Sequence, residues 1–331
     1  MRNHKQRLLL AGVLLAATLV SGGWYLQRQN YSSEPLQIVL IQKAVDDTDF
    51  WTCIYEGGHM AADELGVELT VMGPRQESDS QLQHQMILEA IEQKPDAIAL
   101  TPSSFEETIP YAEQIEAAGI TLVLMDSTME KEMGVSLIAT DNFEAGYKMG
   151  SYMSQFVDAD TLIGVVGHVK GTSTATERES GFRAGLKDAQ KQIAEVVFCD
   201  SSSDKAYELT CSLLEHYPDM NLIVGLNEYS AVGAARAVKD MGRSENCHMA
   251  GFDSSIEEIR LLEEGVFDAI VIQKPFNMGY LGIETAVRAA RGKEVESYVD
   301  SGSELITKEN MYTEENQKLL FPFFGKSTKG L

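Results

Sequence analysis

Basic residues are scarce in this chain: 27 Lys and Arg stand against 50 Asp and Glu, a formal charge of −23 over 331 residues. A surface that acidic repels phosphate backbones and argues against nucleic acid as a partner. Cysteine is sparse too. The four (Cys53, Cys199, Cys211, Cys247) lack C-x-x-C spacing, which speaks against a zinc site or a thioredoxin-like pair. One disulfide among the last three stays open for a protein outside the cytoplasm. The six histidines show no H-E-x-x-H or paired spacing, so no metal is called for. Gly167-His168-Val169-Lys170-Gly171-Thr172 lacks the spacing of a phosphate loop, and Gly171-Thr172-Ser173-Thr174-Ala175 is not a nucleophile elbow. Asp46, Asp47 and Asp49 form an acidic loop without the calcium-loop pattern. No cofactor is implied and no enzyme is expected.

The chain has one long hydrophobic run. Arg2, Lys5 and Arg7 precede an uncharged stretch over 8–26, which at ~1.5 Å per helical residue nearly matches a ~30 Å hydrocarbon core. The positive-inside rule keeps the basic flank cytoplasmic and exports the rest. Val20-Ser21-Gly22 is a passable signal-peptide cleavage site. Trp24 and Tyr25 instead suit a retained anchor, and no cysteine sits near Ser21 to make a lipoprotein signal. A retained membrane anchor, followed by a polar tether to residue 35, is the reading favoured.

Beyond the tether the chain repeats itself. Gln93-Lys94-Pro95-Asp96 runs into an apolar strand, and so does His216-Tyr217-Pro218-Asp219. The interval from Pro95 to Pro218 equals that from Gly119 to Gly242, and strands ending in Asp126 and Asp253 follow at nearly the same interval. Two similar α/β lobes imply a cleft between them, where small ligands bind. Apolar runs predict strands over 36–42, 67–72, 97–101, 121–126, 135–140, 161–167, 194–199, 222–225, 248–252 and 269–273. Helical periodicity predicts helices over 78–93, 105–118, 205–216 and 229–241, which is the βαβ signature of parallel sheets. Parallel strands hold ligands beyond their carboxyl ends. The residues there are Thr101, Asp126, Thr140 to Asn142, Asn227, Asp253 and Gln273.

These residues carry a resemblance. Asp47-Thr48-Asp49-Phe50-Trp51, Thr140-Asp141-Asn142-Phe143-Glu144-Ala145-Gly146, Gly171 to Arg178, Asn227-Glu228, Gly251-Phe252-Asp253 and Gln273-Lys274-Pro275 resemble, in order, the type I periplasmic sugar-binding proteins of ribose-binding type. These are the solute-binding components of ABC sugar transport. The resemblance extends to Leu305-Ile306-Thr307-Lys308-Glu309-Asn310. It implies two Rossmann-like lobes joined by a three-segment hinge, with crossings near Thr140, Gln273 and Val299. The lobes would be 36–140 plus 274–299, and 141–273 plus 300–331, closing on a monosaccharide. The implied ligand contacts are Phe50, Trp51, Asp126, Asn142, Arg178, Asn227, Asp253 and Gln273. The pattern departs twice: Ser127 stands where the ribose binders carry an arginine, and the loop before Cys199–Ser203 lacks the aromatic that the resemblance leads one to expect.

The residue types suit the task. A sugar offers apolar ring faces and a rim of hydroxyls, which flat aromatics such as Phe50 and Trp51 and planar polar groups can match. Ser255 with Glu258 forms an S-x-x-E capping box, freeing Asp253 for hydroxyls. Arg178 lies early in a helix whose cap reads as Thr174 with Glu177, an unfavourable place for a cation unless a partner holds it. Asn142 can either cap a helix or reach ligand; Asn227 and Gln273 each offer a donor and an acceptor. The function expected is extracytoplasmic capture of a monosaccharide or small polyol for an ABC permease. The alternative is a membrane-anchored sugar sensor feeding a histidine kinase or chemoreceptor. A sugar-responsive repressor would need a DNA-binding helix pair where the hydrophobic run stands.

Overall fold

The structure, a computed structural model, describes residues 35–46 and 48–321. The hydrophobic run, and the anchor or cleavage site read from it, lie outside the described residues. Among the described residues no helix is long and apolar enough to cross a membrane.

The first half runs β1 (Gln37–Ile41), α1 (Asp49–Leu65), β2 (Glu68–Met72), α2 (Ser80–Gln93), β3 (Ala97–Leu100), α3 (Ile109–Ala117), β4 (Thr121–Met125) and β5 (Ser136–Ala139). Next come α4 (Asn142–Met153), β6 (Ile163–Gly167), α5 (Ser173–Leu186), β7 (Ile193–Phe198), α6 (Ser203–His216) and β8 (Leu222–Gly225). The chain continues through α7 (Glu228–Asp240), β9 (His248–Phe252), α8 (Ile256–Glu264) and β10 (Ala269–Gln273). It then passes through α9 (Pro275–Ala290), β11 (Tyr298–Asp300), β12 (Ser303–Thr307) and α10 (Glu314–Leu320).

Two six-stranded sheets result, ordered β11-β5-β4-β3-β1-β2 and β12-β10-β9-β8-β6-β7. The second repeats the first position for position, so the duplicated Pro-Asp turns lead into equivalent strands, β3 and β8. All ladders are parallel except β10 with β12. β3, β6, β8 and β10 are buried along their whole length. This is the near-continuous apolar reading expected of strands covered by helices on both faces. In the first lobe Ile87, Ala112 and Ile115 from α2 and α3 pack on Val39, Ile98 and Leu124. In the second, Phe182 and Leu186 of α5 pack on Ile163 and Val165, while α6, α7 and α8 cover the other face. Three segments pass between the sheets: β5 into α4, β10 into α9, and β11 into β12.

Two helix starts differ from the sequence reading. α3 begins at Ile109, not at residue 105, because Pro110 belongs in a helix's first turn, where its missing N–H costs nothing. α5 is capped by Thr172, whose hydroxyl accepts from Ala175 N at 3.3 Å, and not by Thr174, whose hydroxyl is engaged with His168. The cap of α8 is the expected one: Ser255 and Glu258 form the box. All four cysteines are free thiols.

Candidate functional site

Both sheets point their carboxyl ends at one cleft, so the residues just past each strand converge. From the first lobe come Lys43 after β1, Phe50 and Trp51 at the head of α1, Glu77 before α2 and Asp126 after β4. From the second come His168 after β6, Thr174 and Arg178 on α5, and Asn227, Glu228 and Tyr229 at the head of α7. Asp253 and Gln273, at the ends of β9 and β10, complete the lining.

The two aspartates are mirror images in the duplicated fold. Asp126 and Asp253 both adopt a left-handed backbone, with φ of 62° and 88°. Each is pinned by its own N–H, Asp126 to Ile138 O and Asp253 to Val271 O, both at 2.9 Å. Such backbone costs a non-glycine residue ~1–3 kcal/mol and gathers at functional sites. Neither aspartate is the N-cap residue of a helix, and both line the cleft.

Their surroundings separate them electrostatically. Burial raises the Asp126 carboxyl, but the charge and hydrogen bond of Lys43 at 2.6 Å, with the Ser127 hydroxyl, outweigh it and hold it below its usual 3.8. Lys43 thus supplies the cation that the sequence lacks at position 127. At Asp253 burial wins over Arg178, and the carboxyl rises. Its oxygens accept from Gln273 Nε2 at 2.6 Å and from Glu228 N at 3.0 Å. Burial likewise raises Glu77, which accepts from the Trp51 indole at 2.8 Å and from the Ser201 hydroxyl at 2.5 Å. Glu228 rises to about 8, through burial and the nearby charges of Asp253 and Asp49.

Arg178 is 3% exposed. Its Nε donates to Asn142 Oδ1 and its Nη1 to Leu226 O, each at 2.8 Å, and the guanidinium lies 3.8 Å from the Phe252 ring centre. A cation near the start of α5 is therefore held by a carbonyl, an amide and an aromatic face. The Asn142 side chain is buried behind Arg178, its Nδ2 on Thr140 O, and is not brought to the cleft wall. It does not cap α4 either; Asp141 does, accepting from Glu144 N at 2.8 Å. Asn227 spends its carbonyl on capping α7, leaving its amide NH2 for Ser201 at 3.3 Å and for the cleft. Trp51 is 2% exposed and meets Phe50 edge-on with centroids 5.0 Å apart, so the pair presents ring edge and face together.

Sequence reasoning missed Lys43, Glu77, His168, Thr174, Glu228 and Tyr229. Lys43 sits one residue past the predicted end of the first strand, where the strand-end rule reaches it. Glu228 and Tyr229 adjoin Asn227 at the head of a helix. Glu77 lies in an irregular loop with no periodic signal.

Hydrogen bonds close the cleft across the lobes. Ser201 donates to Glu77 and the Tyr229 hydroxyl to Asp46, while Phe50 N donates to Glu228 at 3.3 Å. On the rim Phe105 N donates to Gly171 O at 3.3 Å and Thr128 N to Ser173 Oγ at 3.0 Å. The remaining cavity is about 20 Å³, room for one or two waters. Among the described residues no cluster could hold a metal ion.

Two matching sheets, three crossings and a polar cleft at their carboxyl ends define a two-lobed binding protein. A family model described as "Periplasmic binding protein domain" matches residues 38–294, and the chain belongs to that family, whose members bind solutes and are not enzymes. It is a type I periplasmic sugar-binding protein of the ABC-transport class, and its place is outside the cytoplasm. The D-ribose/D-allose-binding protein of Pseudomonas aeruginosa is 25% identical over 93% of this chain and 99% of its own length. A solved sugar transporter from Clostridium phytofermentans is 42% identical, with a TM-score of 0.79, over 83% of this chain and all of that one. A solute-binding protein from Agrobacterium vitis, solved with bound D-fucose, is 29% identical with a TM-score of 0.83, covering 86% of this chain and 99% of that one.

Proposed function

We propose that this protein captures a monosaccharide or similar small polyol between its lobes, 36–140 plus 274–299 and 141–273 plus 300–331, and delivers it to the permease of an ABC sugar importer. The observation that carries the reading is the convergence of strand-end residues from both sheets on one buried cleft. Phe50 and Trp51 supply apolar surface for a sugar ring. Asp126, Arg178, Asn227, Asp253 and Gln273 supply planar hydrogen-bonding groups for its hydroxyls, and charge-assisted bonds to neutral hydroxyls are the stronger kind. Asn142 acts through Arg178, by fixing its guanidinium. The two solved relatives named above are described as a sugar transporter and an ABC-transporter solute-binding protein, which favours the importer over an anchored sensor read by a histidine kinase.

With a cavity of about 20 Å³, a sugar enters only when the lobes part and displaces side chains when they close. Thermal shift across a panel of pentoses and hexoses tests the reading. A ligand at ~100-fold its dissociation constant adds ~2.7 kcal/mol of stability, a shift of a few degrees. If no monosaccharide moves the transition, the proposed ligand class is wrong.

A further inference from the structure

The cleft carries more acid than base. Glu77, Asp126, Glu228 and Asp253 line it, against Lys43 and Arg178. Lys43 is committed to Asp126 at 2.6 Å, both side chains 4% exposed, and its charge also reaches Glu77. Arg178 is held by Asn142 and Leu226, and its charge acts on Asp253. Among the described residues no cation pairs with Glu228. It meets the backbone N–H groups of Phe50 and Asp49 and the acids Asp253 and Asp49, and the buried Glu258 feels its charge. A buried carboxylate without a countercharge is costly, so such a group stays protonated until a cation arrives.

A second observation is independent of charge. Two atoms of cleft-lining residues are buried without a partner: Gln273 Oε1 and His168 Nδ1, on side chains of residues 4% and 3% exposed. Gln273 Oε1 is an acceptor by nature. Assigning the Thr174 hydroxyl as donor to Thr172 Oγ1 at 3.4 Å makes it the acceptor of the His168 Nε2 N–H at 2.9 Å, and in that tautomer Nδ1 carries a lone pair. Both orphan atoms can take donors, and Gln273 is the one beside the acid corner, since its amide holds Asp253, whose other oxygen holds Glu228 N; His168 stands three strands away. An ammonium brings three donors and no acceptor, together with the missing positive charge. A bare divalent metal does not fit, since no group of three ligating side chains forms among the described residues.

We propose that the ligand of this cleft is an amino sugar, a monosaccharide-sized polyol with one ammonium group, and that the ammonium seats against Glu228. The inference rests on the monosaccharide reading and narrows it. Lys43–Asp126 and Arg178 then serve the neutral hydroxyl rim, while the acid-rich corner of Glu228 and Asp253 selects the charge.

Calorimetric titration of the full-length protein at pH 7 tests this with matched sets: glucosamine, galactosamine and mannosamine, each beside its neutral parent and its N-acetyl derivative. At least one amine is expected to bind about tenfold or more tightly than its own parent and its uncharged amide. In Glu228→Gln, checked for a normal melting transition, the gap between amine and parent should close to within about threefold, and Glu228→Asp should restore part of it. Parents binding as tightly as their amines in every set, or a gap that survives Glu228→Gln, would overturn the inference while leaving the monosaccharide reading intact. If no member of any set binds, the amino-sugar inference falls, and the monosaccharide reading falls with it only if the pentoses and hexoses of the thermal-shift panel fail as well.

Discussion

Arg178 commits Nε and Nη1 to the protein and stacks on Phe252, which leaves the rest of its fork for the cleft. Arg178→Ala is therefore expected to lose ~1.5–3 kcal/mol of ligand binding, roughly 10- to 150-fold in affinity. Because the side chain is buried, it should also lower the melting temperature. Arg178→Lys keeps the charge but not the fork, and should recover stability better than affinity. Calorimetry and melting on both variants separate the effects; unchanged affinity in Arg178→Ala would remove Arg178 from the site. A pH prediction follows from the buried acids. Glu228 rises from 4.5 to about 8, and Glu258, 0% exposed beside it, rises as well, mainly by burial. The folded state holds their protons more tightly than the unfolded one. The resulting stability is full below pH 4.5 and is lost as the pH climbs towards 8. Melting temperature should thus fall between pH 5 and 8, and the slope should flatten in Glu228→Gln and Glu258→Gln. A slope unchanged in both variants would contradict this. The aspartates, Asn227 and Gln273 were legible in the sequence because each stands at the end of an apolar run. Lys43 was within reach of the same rule and was passed over; Glu77 was not, because it lies in an irregular loop and its partner Ser201 is remote in the chain.

At the scale of elements, α1 and α9 approach backbone to backbone. A Cβ added at Gly279 would lie 2.1 Å from Ile54 O, and one at Gly57 would lie 2.1 Å from Phe276 O. The second lobe repeats the device where α4 meets α5, with Gly181 against Phe143 O at 2.0 Å. These contacts matter for the site because α1 carries Phe50 and Trp51 and α9 follows the crossing at Gln273. Gly279→Ala must push the helices apart, costing ~1–3 kcal/mol as overpacking, and should weaken ligand binding by moving Trp51. Gly66→Ala is the comparison: it lies at positive φ with nothing within 4 Å of its Cβ, so it should cost stability through backbone strain alone and leave affinity untouched. Equal affinities in the two variants would show that the α1–α9 spacing does not set the cleft. The strands and most helices were readable from periodicity, whereas the helix pairing was not. A glycine in a helical run marks a close approach without saying to what. The true start of α3 was written in Pro110, and the cap of α5 was hidden because Thr172 and Thr174 are equally good caps until His168 claims one of them.

For the whole molecule, the decisive property is how far the lobes part. Their duplication was visible in the spacing of Pro95, Pro218, Gly119 and Gly242, and the structure turns it into two sheets with the same strand order. The degree of closure was not visible, since it depends on bonds between residues of different lobes. Tyr229 is well placed to test it. Its hydroxyl donates to Asp46 across the cleft, and its ring lines the cavity beside Glu77. Tyr229→Phe keeps the ring and removes one charge-assisted hydrogen bond that exists only when the lobes are closed. The loss of ~1.5–3 kcal/mol falls on the closed state alone, so the unliganded population moves towards open and apparent affinity drops by the same factor. X-ray scattering reads this directly. The unliganded variant should have a larger radius of gyration than the unliganded parent, and saturating ligand should bring both to the same compact value. Were the two unliganded profiles to coincide and a bound ligand to leave them unchanged, the lobes would not move, and the cleft would have to fill by side-chain motion alone.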